Sequence, residues 1–211
     1  MIIDIAKHLG AIDRRVERRP GIDGAGEQVS VTLRRSYPAE IEDVWDAITD
    51  PERIKRWFMP VSGDLKVGGT FQLQGNAGGE ILACEPPESL RLTWGDPSSI
   101  ADLTLTEDET GTVLELTQTV PIEIARSGAG ALWVGPGWDG ALMGLGLHLG
   151  GETIDDPAAM AVSPEVQEFS RQSVHAWAAA VHDSGTAADD ELRAATQISL
   201  TQFAPDASGA E

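Results

Sequence analysis

The chain has 211 residues, 41% of them hydrophobic, enough for one full domain with additional elements or for two small ones. Fifteen Lys and Arg stand against 34 Asp and Glu, a formal net charge of −19, which repels phosphate backbones and anionic lipid surfaces and argues against nucleic acid or membrane as partner. The one cysteine, Cys84, lies in the apolar run Ile81-Leu82-Ala83-Cys84; without a second thiol no internal disulfide forms, and the expected compartment is the cytoplasm.

Residues Met1 to Arg19 carry no signal-peptide pattern, and the apolar stretch 141–150 is too short to cross a bilayer. Ile2, Ile3, Ile5, Ala6 and Leu9 predict a short opening helix. Ala11 to Arg19 reads as a charged strand, with the basic run from Arg14 to Arg19 on a solvated face. Gly21 to Gly26 is turn chemistry, and Val29, Val31 and Leu33 alternate with polar residues as a half-buried strand, which makes a hairpin. After Pro38, the residues Ile41, Val44, Trp45 and Ile48 fall at i, i+3, i+4 and i+7 of a helix. Asp50 and Pro51 supply an N-cap and a first-turn proline for a second helix, with Ile54, Trp57 and Phe58 as its apolar side. From Asp64 the period becomes two. Strands are predicted at 70–74, 80–84, 90–94, 100–106 and 113–117, joined by connections short enough to require antiparallel neighbours. Trp138, Leu142, Leu145 and Leu149 then form one stripe of a helix that must pack on the sheet. Gly140, Gly144 and Gly146 lie on that helix and point to close backbone approach or to space beside it. Residues 152–162 read as a loop. Ser163 caps a helix that Gly185 ends, and a last helix opens at Asp189 or Asp190.

The stretch from Ala39 through Val44-Trp45 to Asp50-Pro51-Glu52, followed by Trp57-Phe58, resembles the opening signature of the START/polyketide-cyclase superfamily. More narrowly, it resembles homologues of the activator of the ninety-kilodalton heat-shock-protein ATPase. Asp64 to Gly69, Pro86 to Trp94, Thr112 to Thr117 and Gly137-Trp138 with Leu142 match later blocks in order, so the resemblance covers roughly Val29 to Gly150. It implies an α+β helix-grip fold, in which a curved antiparallel sheet of the seven-stranded type wraps around a long helix with two short helices. It also implies an apolar tunnel between sheet and helix. The expected organisation is a helix-grip domain over residues 1–151, including the N-terminal hairpin, and a C-terminal helical extension over 152–211 packed on it.

An apolar pocket needs large side chains and a few polar anchors. The candidates for binding a ligand are Trp57, Phe58, Phe71, Trp94, Trp133, Trp138, Leu142, Met143 and Leu145, with Arg35 as the polar group because it lies in phase with Leu33, the alternative being an exposed arginine at the strand end. Asp102, Glu80 and Glu115 are weaker polar candidates, and Glu80 is out of phase with Ile81. His148 either faces the pocket or sits half-exposed at a helix C-terminus, where the dipole favours a cation. His175 and His182 are seven residues apart, and no metal-ligand spacing, nucleophile motif or nucleotide-binding glycine pattern occurs. No metal or cofactor is therefore expected, and no catalytic residue is assigned. The reading favours binding of a small hydrophobic or amphipathic molecule over catalysis. The alternatives are a cavity enzyme of cyclase or hydrolase type and a protein-interaction module, with the C-terminal helix pair meeting a second copy of the chain or another protein.

Overall fold

The computed structural model describes residues 3–21, 26–154 and 156–205; the expected turn at 22–25 and the tail beyond Pro205 lie outside them. The elements in chain order are α1 (Ile5–Gly10), β1 (Asp13–Pro20), β2 (Glu27–Tyr37), α2 (Ile41–Thr49), α3 (Pro51–Ile54), β3 (Val61–Gly63), β4 (Thr70–Leu73), β5 (Gly78–Glu85), β6 (Ser89–Trp94), β7 (Asp96–Asp108) and β8 (Gly111–Pro121). Then come α4 (Ile122–Ala125), a 3-10 segment (Gly128–Trp133), α5 (Gly135–Leu149), α6 (Pro157–Ala161), α7 (Pro164–Ser184) and α8 (Asp189–Phe203). The strands form an open antiparallel sheet of eight in the order β1-β2-β8-β7-β6-β5-β4-β3, one more than the seven-stranded type. This is the α+β helix-grip class with C-terminal helices. Pro20, which cannot donate to a ladder, sits on edge strand β1.

Several predicted boundaries move. The helix after Asp50 is a single turn: the Asp50 carboxylate caps the Glu52 N–H at 2.8 Å, and the helix ends at Ile54, so Trp57 and Phe58 lie beyond it. Strands β7 and β8 extend past the expected 100–106 and 113–117 into polar residues, to Asp96–Asp108 and Gly111–Pro121. α4, the 3-10 segment and α6 occupy stretches with no helical stripe of their own, and α6 falls inside the expected loop at 152–162.

The chain gathers into two compact units, and β2, β8 and α5 contribute residues to both. The first comprises Met1–Leu33, Thr119–Leu142 and Ala159–Glu211; the second comprises Arg34–Gln118 and Met143–Ala158.

In the first unit α7 packs on β1, on α8 and on the 3-10 segment. Ser163 caps α7, and Gly185 closes it in the left-handed region at φ +63°. The buried side of α7 carries Phe169, Val174, Trp177 and Val181, all at 0% exposure. At its centre is a carboxylate that the sequence pattern concealed. Asp139, one residue after Trp138, is fully buried. It accepts hydrogen bonds from Arg14 Nε at 3.2 and 2.9 Å, from Trp177 Nε1 at 3.1 Å and from the Ser173 hydroxyl, and Arg14 Nη2 lies 2.8 Å away. The Arg14 guanidinium also donates to the carbonyls of Leu9 and Ile12. The basic run is therefore not wholly solvated: Arg14 turns inward, while Arg18 pairs with Glu27 and Arg19 with Glu17 on the surface. Burial pushes the Asp139 carboxyl up from its ordinary range, and Arg14, Ser173 and Trp177 pull it back.

In the second unit antiparallel ladders set Leu90 opposite Leu103, Leu92 opposite Ala101 and Ile81, and Phe71 opposite Gly79. Because side chains alternate, these residues share one face of the sheet. Phe71, Leu73, Ile81 and Leu92 form its buried cluster.

Removing one partner of a buried ion pair leaves the other charge uncompensated. Asp139→Ala is accordingly expected to lower unfolding free energy by about 3–5 kcal/mol, read from urea denaturation. Arg14→Met in that background should recover part of the loss, since it removes the stranded cation.

Candidate functional site

Seven of the ten sequence candidates lie in the second unit: Arg35, Trp57, Phe58, Phe71, Trp94, Met143 and Leu145. Trp133, Trp138 and Leu142 lie in the first. There Trp138 and Leu142 are buried, whereas Trp133, at the end of the 3-10 segment, is 37% exposed.

Within the second unit the aromatic residues meet in two pairs. Trp57 and Phe58 stack with ring centroids 5.4 Å apart, and Phe71 lies 5.8 Å from Trp94. Phe58 and Trp94 both pack on the Phe71–Leu92 cluster, as do Met59, Val61, Leu90 and Leu103, yet all six keep part of their surface accessible. The Trp57 indole is locked by its N–H, which donates to the Ala47 carbonyl at 3.0 Å across the α2–α3 corner. That bond meets the polar demand of a buried tryptophan.

The second half of α5 completes this unit, with Met143 and Leu145 each at 1% exposure. Two of its glycines are points of close approach. A Cβ on Gly144 would stand 3.0 Å from the Trp57 carbonyl oxygen, and one on Gly146 would stand 2.5 Å from the Arg35 guanidinium. Gly140, in the first unit, has open space instead.

Arg35 is buried on the face shared by Leu33 and Tyr37, as strand parity requires. Its guanidinium lies over the Tyr37 ring, 5.0 Å from the centroid. Burial pushes the Tyr37 hydroxyl well above its ordinary value, against a downward pull from Arg35. Two further inward polar groups escaped the sequence reading: Gln118 donates to the Ser99 hydroxyl at 2.9 Å, and both are buried. Gln118 is in phase with Leu114 and Leu116, so parity would have placed it had the strand not been ended at Thr117. The weaker polar candidates face outward. Glu80 and Glu115 are exposed, and Asp102 pairs with Arg91 at 3.4 Å. Partial burial raises the Asp102 carboxyl, and Arg91 opposes that shift.

His148 is half-buried near the end of α5, with Nε2 3.4 Å from Arg53 Nη2. Arg53 also donates to the Asp43 carboxylate at 2.6 Å. Burial first, then Arg53 and Arg56, lower the His148 pKa from its ordinary value, and Asp43 raises it. The dipole-stabilised cation considered from sequence is thus replaced by an imidazole held toward its neutral form. Cys84 is half-buried, its thiol pushed up by burial and by Glu85. Among the described residues no group of three or more His, Cys, Asp and Glu could hold a metal ion, and no helix is long and apolar enough to cross a membrane.

A lowered folded pKa means that the unfolded chain binds more protons between the two values. The contribution of His148 to stability is full above its unfolded value and is lost as pH falls through its folded value. In a ring-proton NMR titration His148 should titrate below the ordinary histidine value, and Arg53→Gln or Arg56→Gln should move it upward.

Residues 38–150 match the family model described as Activator of Hsp90 ATPase homolog 1-like protein. CalU16 from Micromonospora echinospora is 41% identical over 82% of this chain and 99% of its own in the crystal, with a TM-score of 0.65. Its solution structure gives 0.69, with 97% of that chain covered. DynU16, a protein of the dynemicin biosynthetic locus, is 26% identical over 59% of this chain and 48% of its own, with a TM-score of 0.53. A conserved protein of unknown function from Enterococcus faecalis, EF2215, shares the fold at 16% identity, with 83% and 95% coverage and a TM-score of 0.57. No curated protein matches. A family model that spans more than half of the sequence and a relative aligned along nearly its whole length agree with the helix-grip topology: the chain belongs to the Activator of Hsp90 ATPase homolog 1-like family.

Proposed function

We propose that the protein binds a small hydrophobic or amphipathic molecule on the apolar layer of its second unit. The observation that carries this reading is the set of half-buried side chains around the Phe71–Leu92 cluster. Phe58 and Trp94 are fixed by packing yet keep accessible apolar surface. Rigid aromatic rings that stay partly uncovered are what an apolar guest needs, because it meets preformed surface and orders little on binding. Covering roughly 200 Å² of such surface contributes about 5 kcal/mol at 25 cal/mol per Å², less the cost of association. Trp57 stacks on Phe58 from its buried side, Met143 and Leu145 are buried apolar residues of the same unit, and Arg35 is its polar candidate. Membership of the family supports a binding role, and the association of DynU16 with a biosynthetic locus accords with a small-molecule ligand.

N-phenyl-1-naphthylamine, a neutral apolar fluorophore, tests the reading. The wild-type protein is expected to give a saturable rise in fluorescence. Trp94→Ala should weaken the dissociation constant by about ten-fold, the order of one lost aromatic contact, with an unchanged far-ultraviolet circular dichroism spectrum. A linear, non-saturating response from the folded wild type would overturn it.

A further inference from the structure

The unit that carries the apolar layer also gathers positive charge at one corner. Arg53, Lys55 and Arg56 fall within four residues, and Arg53 faces His148. In a chain of net charge −19 this concentration stands against the prevailing field. Two of the cations have acidic partners: Lys55 bonds Glu52, and Arg53 bonds Asp43 through Nη1, both at 2.6 Å. Arg56 is exposed, and among the described residues no carboxylate bonds to it. The second terminal nitrogen of Arg53 points at an imidazole nitrogen rather than at an acid.

Cations near a helix C-terminus often serve its last carbonyls. Here the backbone already does so: the N–H groups of Gly150, Gly151 and Glu152 donate to the carbonyls of Gly146, His148 and Leu147, each at 3.0 Å. Arg53 and Arg56 are therefore not needed as caps for α5. The corner is also continuous with the aromatic layer. Arg56, Trp57 and Phe58 are consecutive, so the Cα atoms of Arg56 and Phe58 are within about 8 Å. Phe58 stacks on Trp57 and packs on the buried cluster.

We propose that the ligand is an amphipathic anion, with its apolar body on Phe58 and Trp94 and its carboxylate, sulfonate or phosphate group between Arg56, Arg53 and His148. The proposal rests on the binding reading above and names the chemistry of the ligand's polar end. Guanidinium donors make short, charge-assisted hydrogen bonds to such oxyanions. At physiological salt the screening length is about 8 Å, so the remote acids are damped while the corner acts at contact. An anion placed there favours imidazolium over imidazole, which turns His148 from an acceptor toward Arg53 into a donor toward the ligand.

The test compares N-phenyl-1-naphthylamine with 8-anilinonaphthalene-1-sulfonate, which has the same ring system plus one sulfonate. Wild-type protein is expected to bind the sulfonate at least as tightly as the neutral probe. Arg56→Gln should weaken the sulfonate about five-fold, the order of one charge-assisted contact, and leave the neutral probe unchanged. Saturation with the sulfonate, but not with the neutral probe, should raise the His148 pKa in NMR. If Arg56→Gln shifts both probes alike, or neither, the anionic corner is wrong while the apolar site stands. If neither probe saturates on folded wild type, the binding reading itself fails.

Discussion

α5 runs for fifteen residues with only two ionisable side chains, Asp139 and His148. A helix so apolar around its circumference is driven to bury most of its surface. Its burial accordingly reaches beyond the Trp138–Leu145 stripe to Ala141, Met143 and Leu147. Much of the remaining structure answers that requirement. The glycines at 144 and 146 let the backbone near Trp57 and the Arg35 guanidinium come close, where a side chain would collide.

Some of the polar groups taken inside are tied to specific partners. Asp139 is enclosed by donors from β1 and α7, which joins β1, α5 and α7 in one hydrogen-bonded cluster. Such a cluster adds little net stability over a well-packed apolar substitute, but it penalises any other register of the three elements, because a misplaced carboxylate would be stranded. In the second unit Arg35 over Tyr37 and Gln118 against Ser99 put polarity on an otherwise apolar face.

Electrostatics in this chain work against the average. A net charge of −19 describes the surface as a whole, yet beside α3 burial first, and then Arg53 and Arg56, hold His148 toward its neutral form. Average charge argues from the sequence against partners that need a broad positive face, such as nucleic acid. It carried no information on a corner a few ångströms across, where contact geometry outweighs screened distant charges.

Some features followed from local rules alone. The i, i+3, i+4, i+7 stripe of α2, the Asp50-Pro51 helix start, the Ser163 cap, the Gly185 stop and the two-residue alternation of β4 are decided by nearest neighbours and backbone sterics, and each is present. Strand parity likewise turned Arg35 inward. The α+β class and the family resemblance were legible for the same reason. Other features depend on groups far apart in the chain. Arg14 sits in a run that looks solvated and becomes a buried partner only because Asp139, 125 residues away, is brought beside it. Trp57 lies beyond α3 with its indole N–H on the Ala47 carbonyl, and His148 is pushed toward its neutral form by burial first and then by Arg53 and Arg56. Local sequence determines which conformations each segment can adopt. Which distant charge or donor it meets there, and so the protonation and accessibility of the candidate site, is decided only when the chain closes on itself.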